Sequence, residues 1–186
     1  MIKLKEKYKK ETAPEMIKRF GIKNKMAVPK IKKVVVNVGI GRLLSLKTGD
    51  EKKKAIDKIL TDLALICAQK PVLTKAKKSI SGFKLREGMP VGAKVTLRGK
   101  KMYDFMEKII HIALPRLRDF RGIDLKHFDK DGNLTLSFRE QTVFPEIIPE
   151  KSKIIFGLEI TIVTSAHIRE QGIELLRLLG FPIKNG

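Results

Sequence analysis

The residues best suited to chemistry lie between Gln69 and Arg98, and that chemistry is the binding of a polyanion. Residues 70–101 hold ten lysines and arginines and one acidic residue. Such cations contact phosphates, while Ser, Thr and Gln side chains donate hydrogen bonds to phosphate, 2′-hydroxyl or base edges. Phe83 offers a surface on which a base can stack, although taken alone it fits core packing equally well. Glycines at 82, 88 and 92 allow a close approach of the backbone.

Residues suited to catalysis or metal binding are not arranged for either task. His111, His127 and His167 share no metal-ligand spacing, and Cys67 is predicted to pack in the core from the apolar face of a helix. No Ser, Cys or Lys comes with a recognisable base and orienting group. The sequence therefore favours a protein that is not an enzyme and that holds no metal and no cofactor.

Two glycine patterns resemble nucleotide-binding motifs only in part. After Gly39-Ile40-Gly41, Leu44 occupies the third glycine position of a dinucleotide fingerprint, and no helix is expected to begin at once. Gly82 and Gly88 are one residue too far apart for a phosphate-binding P-loop, and Met89 stands where Lys is required. Neither motif is supported.

The acidic residues near position 130 fit a hairpin turn better than a calcium loop. Four side chains match calcium-loop positions, but Leu134 occupies the position that requires Gly. Asp131-Gly132 is a strong turn signal before an alternating strand. The four matching residues are Asp129, Asp131, Asn133 and Glu140.

The positive charge is concentrated in two blocks of the chain. The 186 residues include 40 Lys and Arg against 20 Asp and Glu, a net charge of +20 with a pI near 10.1. Residues 1–33 and 70–101 each carry +9, residues 34–69 carry +2, and residues 102–186 are neutral. This distribution is typical of a nucleic-acid footprint, with two solvated basic faces as the alternative.

A membrane surface is the second polyanion considered. The longest apolar run, residues 63–68, is far shorter than the roughly 20 residues that span a bilayer. The N-terminal helix, with Leu4 and Tyr8 on one side, has only a small apolar face, so packing on the domain or contact with RNA is favoured over membrane attachment. The N-terminus lacks a secretory signal, and one cysteine suits a reducing cytoplasm.

The elements that must position these residues form an α+β protein. Apolar periodicity predicts a mainly antiparallel sheet with helices packed on one face, while the other face and a long basic loop stay available to RNA. We expect one domain, residues 1–186, with an N-terminal helical segment (1–27) and an α+β body (28–186). Helices are predicted as two short ones within 1–22, then 50–67, 101–113 and 168–179. Strands are predicted at 31–38, 72–75, 91–98, 134–138 and 155–164, and irregular segments at 42–50, 77–90 and 114–121.

Ordered blocks along nearly the whole chain are similar to the family of the universal large-subunit ribosomal protein five, which carries 5S ribosomal RNA, in its bacterial or organellar form. The blocks lie at 28–41, 69–72, 77–80, 82–90, 95–98, 114–122, 140–147 and 180–182. The sequence departs from the family where Ala68 replaces the usual Gly and where Leu134 replaces an aromatic residue. The 42–50 segment is also several residues longer than usual.

The resemblance implies a structural role in the central protuberance of the large ribosomal subunit, in the cytoplasm. It implies 5S rRNA contacts at Asn37, Gln69, Phe83 and Thr96, flanked by the cations Lys70, Lys84, Arg86 and Arg98. It implies a loop that reaches the peptidyl-site tRNA, formed by Lys77, Lys78, Ser79, Ile80 and Ser81. The implied partners are 5S rRNA, large-subunit rRNA, peptidyl-site tRNA, neighbouring central-protuberance proteins and, across an intersubunit bridge, a small-subunit head protein.

One alternative function stays open at this level. A free RNA chaperone or regulator of low specificity would carry the same charge. A salt titration separates the two, because purely electrostatic binding falls equally for every RNA.

Overall fold

The computed structural model describes residues 3–45, 49–83, 85–118, 120–150, 152 and 154–184, with only the backbone of Ser45. Its α-helices are α1 (Leu4–Lys7), α2 (Ala13–Phe20), α3 (Gly41–Ser45), α4 (Gly49–Cys67), α5 (Gly99–Lys108), α6 (Leu114–Arg116) and α7 (Arg169–Leu179). Its strands are β1 (Ile31–Gly39), β2 (Val72–Lys75), β3 (Pro90–Leu97), β4 (Leu134–Phe138) and β5 (Leu158–Thr164). The predicted α+β class is confirmed.

The five strands form one antiparallel sheet in the order β2-β3-β1-β5-β4. Their β-branched and aromatic residues alternate between a buried and an open face, as in β1, where Val34, Val36 and Val38 are buried while Asn37 is exposed. Strand β5 repeats the pattern with Ile160 and Ile162 buried. One face of the sheet therefore joins the apolar core and the other stays open.

Contacts divide the chain into two compact units. The first unit comprises Met1–Val34, Leu97–Leu136 and Thr161–Gly186, and the second comprises Val35–Thr96 and Ser137–Ile160. Four of the strands continue from one unit into the other along the chain.

Within the first unit, the N-terminal helical segment packs on other helices. Helix α1 contacts α5, and α2 contacts α7. Leu4 and Met16 are buried, and the Tyr8 hydroxyl donates to the Pro29 carbonyl at 3.0 Å. Burial, together with the nearby Tyr103, raises the pKa of Tyr8 above its ordinary value. The prediction that the N-terminal helix packs on the domain is therefore confirmed.

Within the second unit, a buried polar network ties an irregular segment to α4. Asp62 accepts a hydrogen bond from the Ser152 hydroxyl at 3.0 Å and pairs with Lys58 at 3.0 Å. The Gln141 amide nitrogen donates to Ser152 and to the Ile154 carbonyl, at 3.2 and 2.7 Å. These bonds give the buried polar groups the partners that burial requires.

The N-terminal prediction of two short helices is wrong, because a π-turn joins them. Helical backbone runs without a break from α1 through the π-turn Tyr8–Thr12 into α2, which Gly21 ends as predicted. The wide turn lets the helix pass Pro14, whose missing N–H would interrupt a regular α-helix. A second π-turn, Ile109–Ala113, precedes Pro115 at the same offset.

Several predicted boundaries also need correction. The 42–50 segment is not a loop in its described part, since α3 begins at Gly41 and α4 at Gly49, while 46–48 lie outside the described residues. The helix predicted at 101–113 extends through 99–116. Strand β5 begins at Leu158 rather than at 155, because the Phe156 N–H is bonded to the Gln141 side chain at 2.8 Å.

Candidate nucleic-acid interface

Strands β2 and β3 form an antiparallel ribbon at one edge of the sheet. Val72 lies opposite Lys94, and Thr74 lies opposite Gly92. Cross-strand partners share a face of the sheet, and both Val72 and Lys94 are exposed. A Cβ at position 92 would meet the Thr74 hydroxyl at 2.7 Å, so glycine here serves the contact between strands rather than the approach of a ligand.

Asn37 and Thr96 lie on the open face of neighbouring strands. Asn37 is exposed between buried Val36 and Val38 on β1, and Thr96 is half-buried between Val95 and Leu97 on β3. Neither side chain has a hydrogen-bond partner among the described residues. Their amide and hydroxyl groups are thus available to a ligand.

Gln69 is fixed beside Thr96 by the end of α4. The helix ends at Cys67, and Ala68 turns the chain with a φ of +49°, in the left-handed region that favours glycine. The Gln69 side-chain amide then donates to the Thr96 carbonyl at 3.1 Å. This bond occupies one donor and leaves the amide oxygen free to accept from an RNA hydroxyl or base amino group.

The segment predicted as a long loop, 77–90, continues the ribbon and ends in a short tip. The Ala76 N–H donates a hydrogen bond to the Met89 carbonyl at 2.8 Å. Ile80 and Leu85 exchange two backbone hydrogen bonds, at 3.0 and 3.1 Å. Ile80 is 47% exposed and Phe83 is 75% exposed at this tip. Core packing of Phe83 is therefore excluded, and the aromatic ring is presented to solvent.

The predicted cations that the structure describes are open to solvent. Lys70, Lys77, Lys78, Arg86 and Arg98 are all exposed. Lys84 lies outside the described residues.

The two predicted serine contacts differ in their surroundings. The Ser79 hydroxyl accepts a hydrogen bond from the Glu87 N–H at 2.9 Å, which braces the tip. Ser81 is exposed and begins the short 3₁₀ turn that carries Phe83.

The four uncharged contacts predicted for 5S rRNA all fall in the second compact unit. Asn37, Gln69, Phe83 and Thr96 belong to Val35–Thr96, whereas Arg98 belongs to the first unit. The structure brings Gln69 and Thr96 into direct contact and places Phe83 in the same six-residue tip as Ile80 and Ser81.

Sequence reasoning missed Lys94 on the open face. It is exposed and lies two residues before Thr96 on the same strand. The signal was available, because side chains two residues apart on a strand point to the same face.

Local geometry at the acidic turn, at Cys67 and after Gly41 tests three of the predictions. The Asp129 carboxylate accepts from the Asp131 and Asn133 N–H groups at 3.0 and 2.7 Å, which confirms the hairpin turn. Cys67 is buried in the core as predicted. The expectation that no helix follows Gly41 at once is wrong, although that helix has only five residues and buries Leu44.

The part of the chain that the structure describes has neither a metal-binding cluster nor a membrane-spanning helix. There, no group of three or more His, Cys, Asp or Glu side chains could hold a metal ion. Within the same residues, no helix combines the length and the apolar character needed to cross a membrane.

An open sheet face beside a basic ribbon is suited to contact a polyanion, and comparison with known proteins gives the class and the family. Residues 24–86 match the family model of ribosomal protein L5, and residues 90–183 match the model of the C-terminus of the same ribosomal family. The chain therefore belongs to the ribosomal protein L5 family of the large ribosomal subunit, and it is a structural component rather than an enzyme.

Two bacterial relatives are similar over almost their whole length. The large ribosomal subunit protein uL5 of Halothermothrix orenii is 52% identical over 179 residues, 96% of this chain and 97% of that protein. The uL5 protein of Carboxydothermus hydrogenoformans is 49% identical over 182 residues, 98% of each chain. As for such bacterial-type proteins, the location is the ribosome in the cytoplasm.

Proposed function

We propose that this chain binds 5S rRNA in the central protuberance of the large subunit through the open face of β1 and β3. The observation that carries the proposal is that exposed Asn37 and half-buried Thr96 lie on neighbouring strands with no side-chain partner among the described residues, while Gln69 is held against Thr96. Uncharged donors and acceptors of this kind read 2′-hydroxyls and base edges, which distinguish one folded RNA from another.

In this proposal the cations contribute affinity for any RNA, and the uncharged groups contribute specificity. Exposed Lys70, Arg86 and Arg98 neutralise phosphates and speed association, which is a contribution that every RNA shares. Phe83 supplies a stacking surface for an unpaired base. Specificity for 5S rRNA then rests on Asn37, Gln69, Phe83 and Thr96.

The exposed tip of the ribbon is proposed to contact the peptidyl-site tRNA. Lys77 and Lys78 are exposed beside it, and Ile80 projects a partly exposed apolar side chain. Large-subunit rRNA and neighbouring central-protuberance proteins complete the partners in that subunit. The neutral residues 102–186 are proposed to help form the bridge to a small-subunit head protein, because they carry no excess charge for RNA.

The test of 5S recognition compares alanine substitutions on the open face of the sheet with one on helix α4. Asn37→Ala or Thr96→Ala should weaken 5S rRNA binding by about 1–3 kcal/mol, about 5- to 150-fold. Thr61→Ala is the matched control, because this exposed threonine on α4 donates a hydrogen bond to the Asp57 carbonyl of its own helix. Dissociation constants are measured for 5S rRNA and an unrelated RNA at one salt concentration. Wild-type affinity in both site variants, or equal affinity for both RNAs, would overturn the proposal.

The test of the tRNA contact uses single charge removals. Lys77→Ala or Lys78→Ala should leave isolated 5S binding nearly unchanged and weaken tRNA binding to the peptidyl site of reconstituted ribosomes. Lys54→Ala, also exposed but on α4, removes the same charge as a control. Equal loss of 5S and tRNA binding would contradict the assignment of the tip to tRNA.

A further inference from the structure

The turn at residues 86–89, directly before β3, contains a methionine. The Met89 N–H donates a hydrogen bond to the Arg86 carbonyl at 3.2 Å, which closes a four-residue turn. Gly88 has a φ of +81°, as the third residue of a type II turn requires. Residues 86–88 are exposed, and Met89 is partly exposed. The turn and its methionine are therefore accessible to small molecules in solution.

A sulfur atom serves as a hydrogen-bond acceptor in this turn. The Arg86 N–H donates to the Met89 Sδ at 3.3 Å, although a thioether is only a weak acceptor. The next three N–H groups donate to oxygen atoms: Glu87 to the Ser79 hydroxyl at 2.9 Å, Gly88 to the Ala76 carbonyl at 3.0 Å, and Met89 to the Arg86 carbonyl. Four consecutive N–H groups thus have acceptors, and one of those acceptors is a thioether.

The thioether is also a group that a peroxide oxidises. The sulfur lone pair attacks one peroxide oxygen, and an S–O bond forms as the O–O bond breaks. The second oxygen leaves as hydroxide and becomes water with the proton of the first, so the sulfur loses the two electrons that the peroxide gains. The product, methionine sulfoxide, is polar. Its sulfur carries a partial positive charge and no longer accepts the Arg86 N–H, and the added oxygen does not fit between two atoms 3.3 Å apart.

The methionines of the described chain differ in their access to solvent. Met16, Met102 and Met106 are at most 2% exposed, so a peroxide does not reach them in the folded protein. Met26 is 82% exposed, and its sulfur has no hydrogen bond within the described residues. A peroxide therefore reaches both Met26 and Met89, but the sulfur of Met89 is the one that holds a backbone N–H.

We propose that Met89 is a site of reversible oxidation by peroxides, and that its sulfoxide opens the 86–89 turn by releasing the Arg86 N–H. The Met89 carbonyl accepts from the Ala76 N–H at 2.8 Å, so the turn is continuous with the backbone pairing of the ribbon. Oxidation at one sulfur atom thereby loosens the base of the tip that carries Phe83. The inference goes beyond the proposed function, because it requires no RNA partner.

The first experiment treats the full chain with hydrogen peroxide and locates the sulfoxides by peptide mass mapping. Met26 and Met89 should be oxidised. Met16, Met102 and Met106 should stay reduced, because they are buried in the folded protein. A chain in which Met26 is fully oxidised while Met89 remains reduced would overturn the proposal. Oxidation of the three buried methionines at the rate of Met89 would overturn it as well, by showing general unfolding.

The second experiment measures amide hydrogen exchange by NMR before and after oxidation. The Arg86 amide should exchange about 2- to 10-fold faster in the oxidised protein, because it has lost its acceptor. The Met26 amide is the matched control, since a sulfoxide forms on that residue too while its N–H donates to the Asn24 side chain at 2.8 Å. Its exchange rate should stay within about twofold. An unchanged Arg86 amide, or equal acceleration of both amides, would overturn the proposal.

Two conservative variants assign the effect to one sulfur. Met89→Leu keeps the approximate size of the side chain and removes the acceptor. Its Arg86 amide should exchange at the rate of the oxidised wild type before any treatment, and peroxide should not change that rate. Met26→Leu should keep the full wild-type response. A peroxide response at Arg86 in Met89→Leu, or its loss in Met26→Leu, would contradict the assignment.

Reduction tests whether the change is reversible. Methionine sulfoxide reductases that act on the two sulfoxide epimers should restore both the mass of the Met89 peptide and the slow exchange of the Arg86 amide. Restored mass with persistently fast exchange would overturn the proposed switch. Since no sample contains RNA, failure of these experiments leaves the proposed 5S function intact, and failure of 5S binding leaves the Met89 site intact.

Discussion

Phe83 offers the sharpest separation between stability and recognition in this chain. Its side chain is 75% exposed, so about a quarter of its surface is removed from water on folding. Full burial of a phenylalanine contributes about 1.5–3 kcal/mol, and a quarter of that is about 0.4–0.8 kcal/mol. Phe83→Ala should therefore lower the free energy of unfolding by less than about 1 kcal/mol.

The same change should have a much larger effect on RNA binding. Loss of one base–aromatic stack costs about 1–3 kcal/mol, which corresponds to about 5- to 150-fold in the dissociation constant for 5S rRNA. Unfolding in urea and 5S binding by fluorescence anisotropy measure the two quantities on one sample. A variant that loses more than about 2 kcal/mol of stability and keeps its affinity would refute the reasoning.

A tryptophan at the same position turns the test into a direct observation. The sequence contains no Trp, so Phe83→Trp creates a single indole reporter at the tip. Stacking should be retained, and 5S binding should therefore keep near-wild-type affinity and change the indole emission. Emission that stays constant at saturating 5S rRNA would place the ring away from the RNA.

Three further predictions concern the scaffold. Ala68→Gly should raise the urea midpoint and stabilise the protein by about 1 kcal/mol, because the left-handed φ of +49° strains alanine. An unchanged urea midpoint would contradict this prediction. Gly172→Ala should destabilise by about 1–3 kcal/mol in the same assay, since a Cβ there would clash with the Gly132 carbonyl oxygen; a wild-type midpoint would disprove the close packing. The Lys184 Nζ lies 2.6 Å from the Asp124 Oδ1 and holds the pKa of that carboxyl below its ordinary 3.8. The ion pair therefore stabilises the folded protein above pH 3.8. That stabilisation is lost as the pH falls through the lower pKa of the folded state. In Lys184→Met, an NMR titration should show the Asp124 pKa rising, and an unchanged value would reject the pairing.

Period-two and helical patterns predicted most of the fold. The β-branched run of β1 and the apolar spacing of α4 gave bounds within one residue of those observed, because burial of one face fixes both patterns. The additional helix α3 and the π-turns were missed, since five-residue helical turns leave no periodic signal. Pro14 was read as a helix start, but a change of turn width also accommodates proline inside a helix.

The candidate site was only partly readable from the chain. Family motifs named Asn37 and Thr96, and alternation alone would have placed them on the open face. The contact between Gln69 and the Thr96 carbonyl depends on the left-handed turn at Ala68, and no pattern in the sequence specifies that turn. The exposure of Phe83 likewise depends on backbone pairing across the tip, which the polar composition of 77–90 did not indicate.

The ribbon that carries the tip is continuous with the strand that carries Thr96. Strand β2 pairs with β3 from Val72 to Lys75, a length of about 13 Å at roughly 3.3 Å per residue, and the pairs Ala76–Met89 and Ile80–Leu85 continue the ribbon to the tip. Backbone hydrogen bonds join the two strands of the ribbon, which carries Phe83 at its tip and is part of the sheet at its other end. These hydrogen bonds therefore fix where Phe83 stands in sequence and pairing relative to the strand that carries Thr96, so the exposed ring is part of the sheet's own hydrogen-bonded framework.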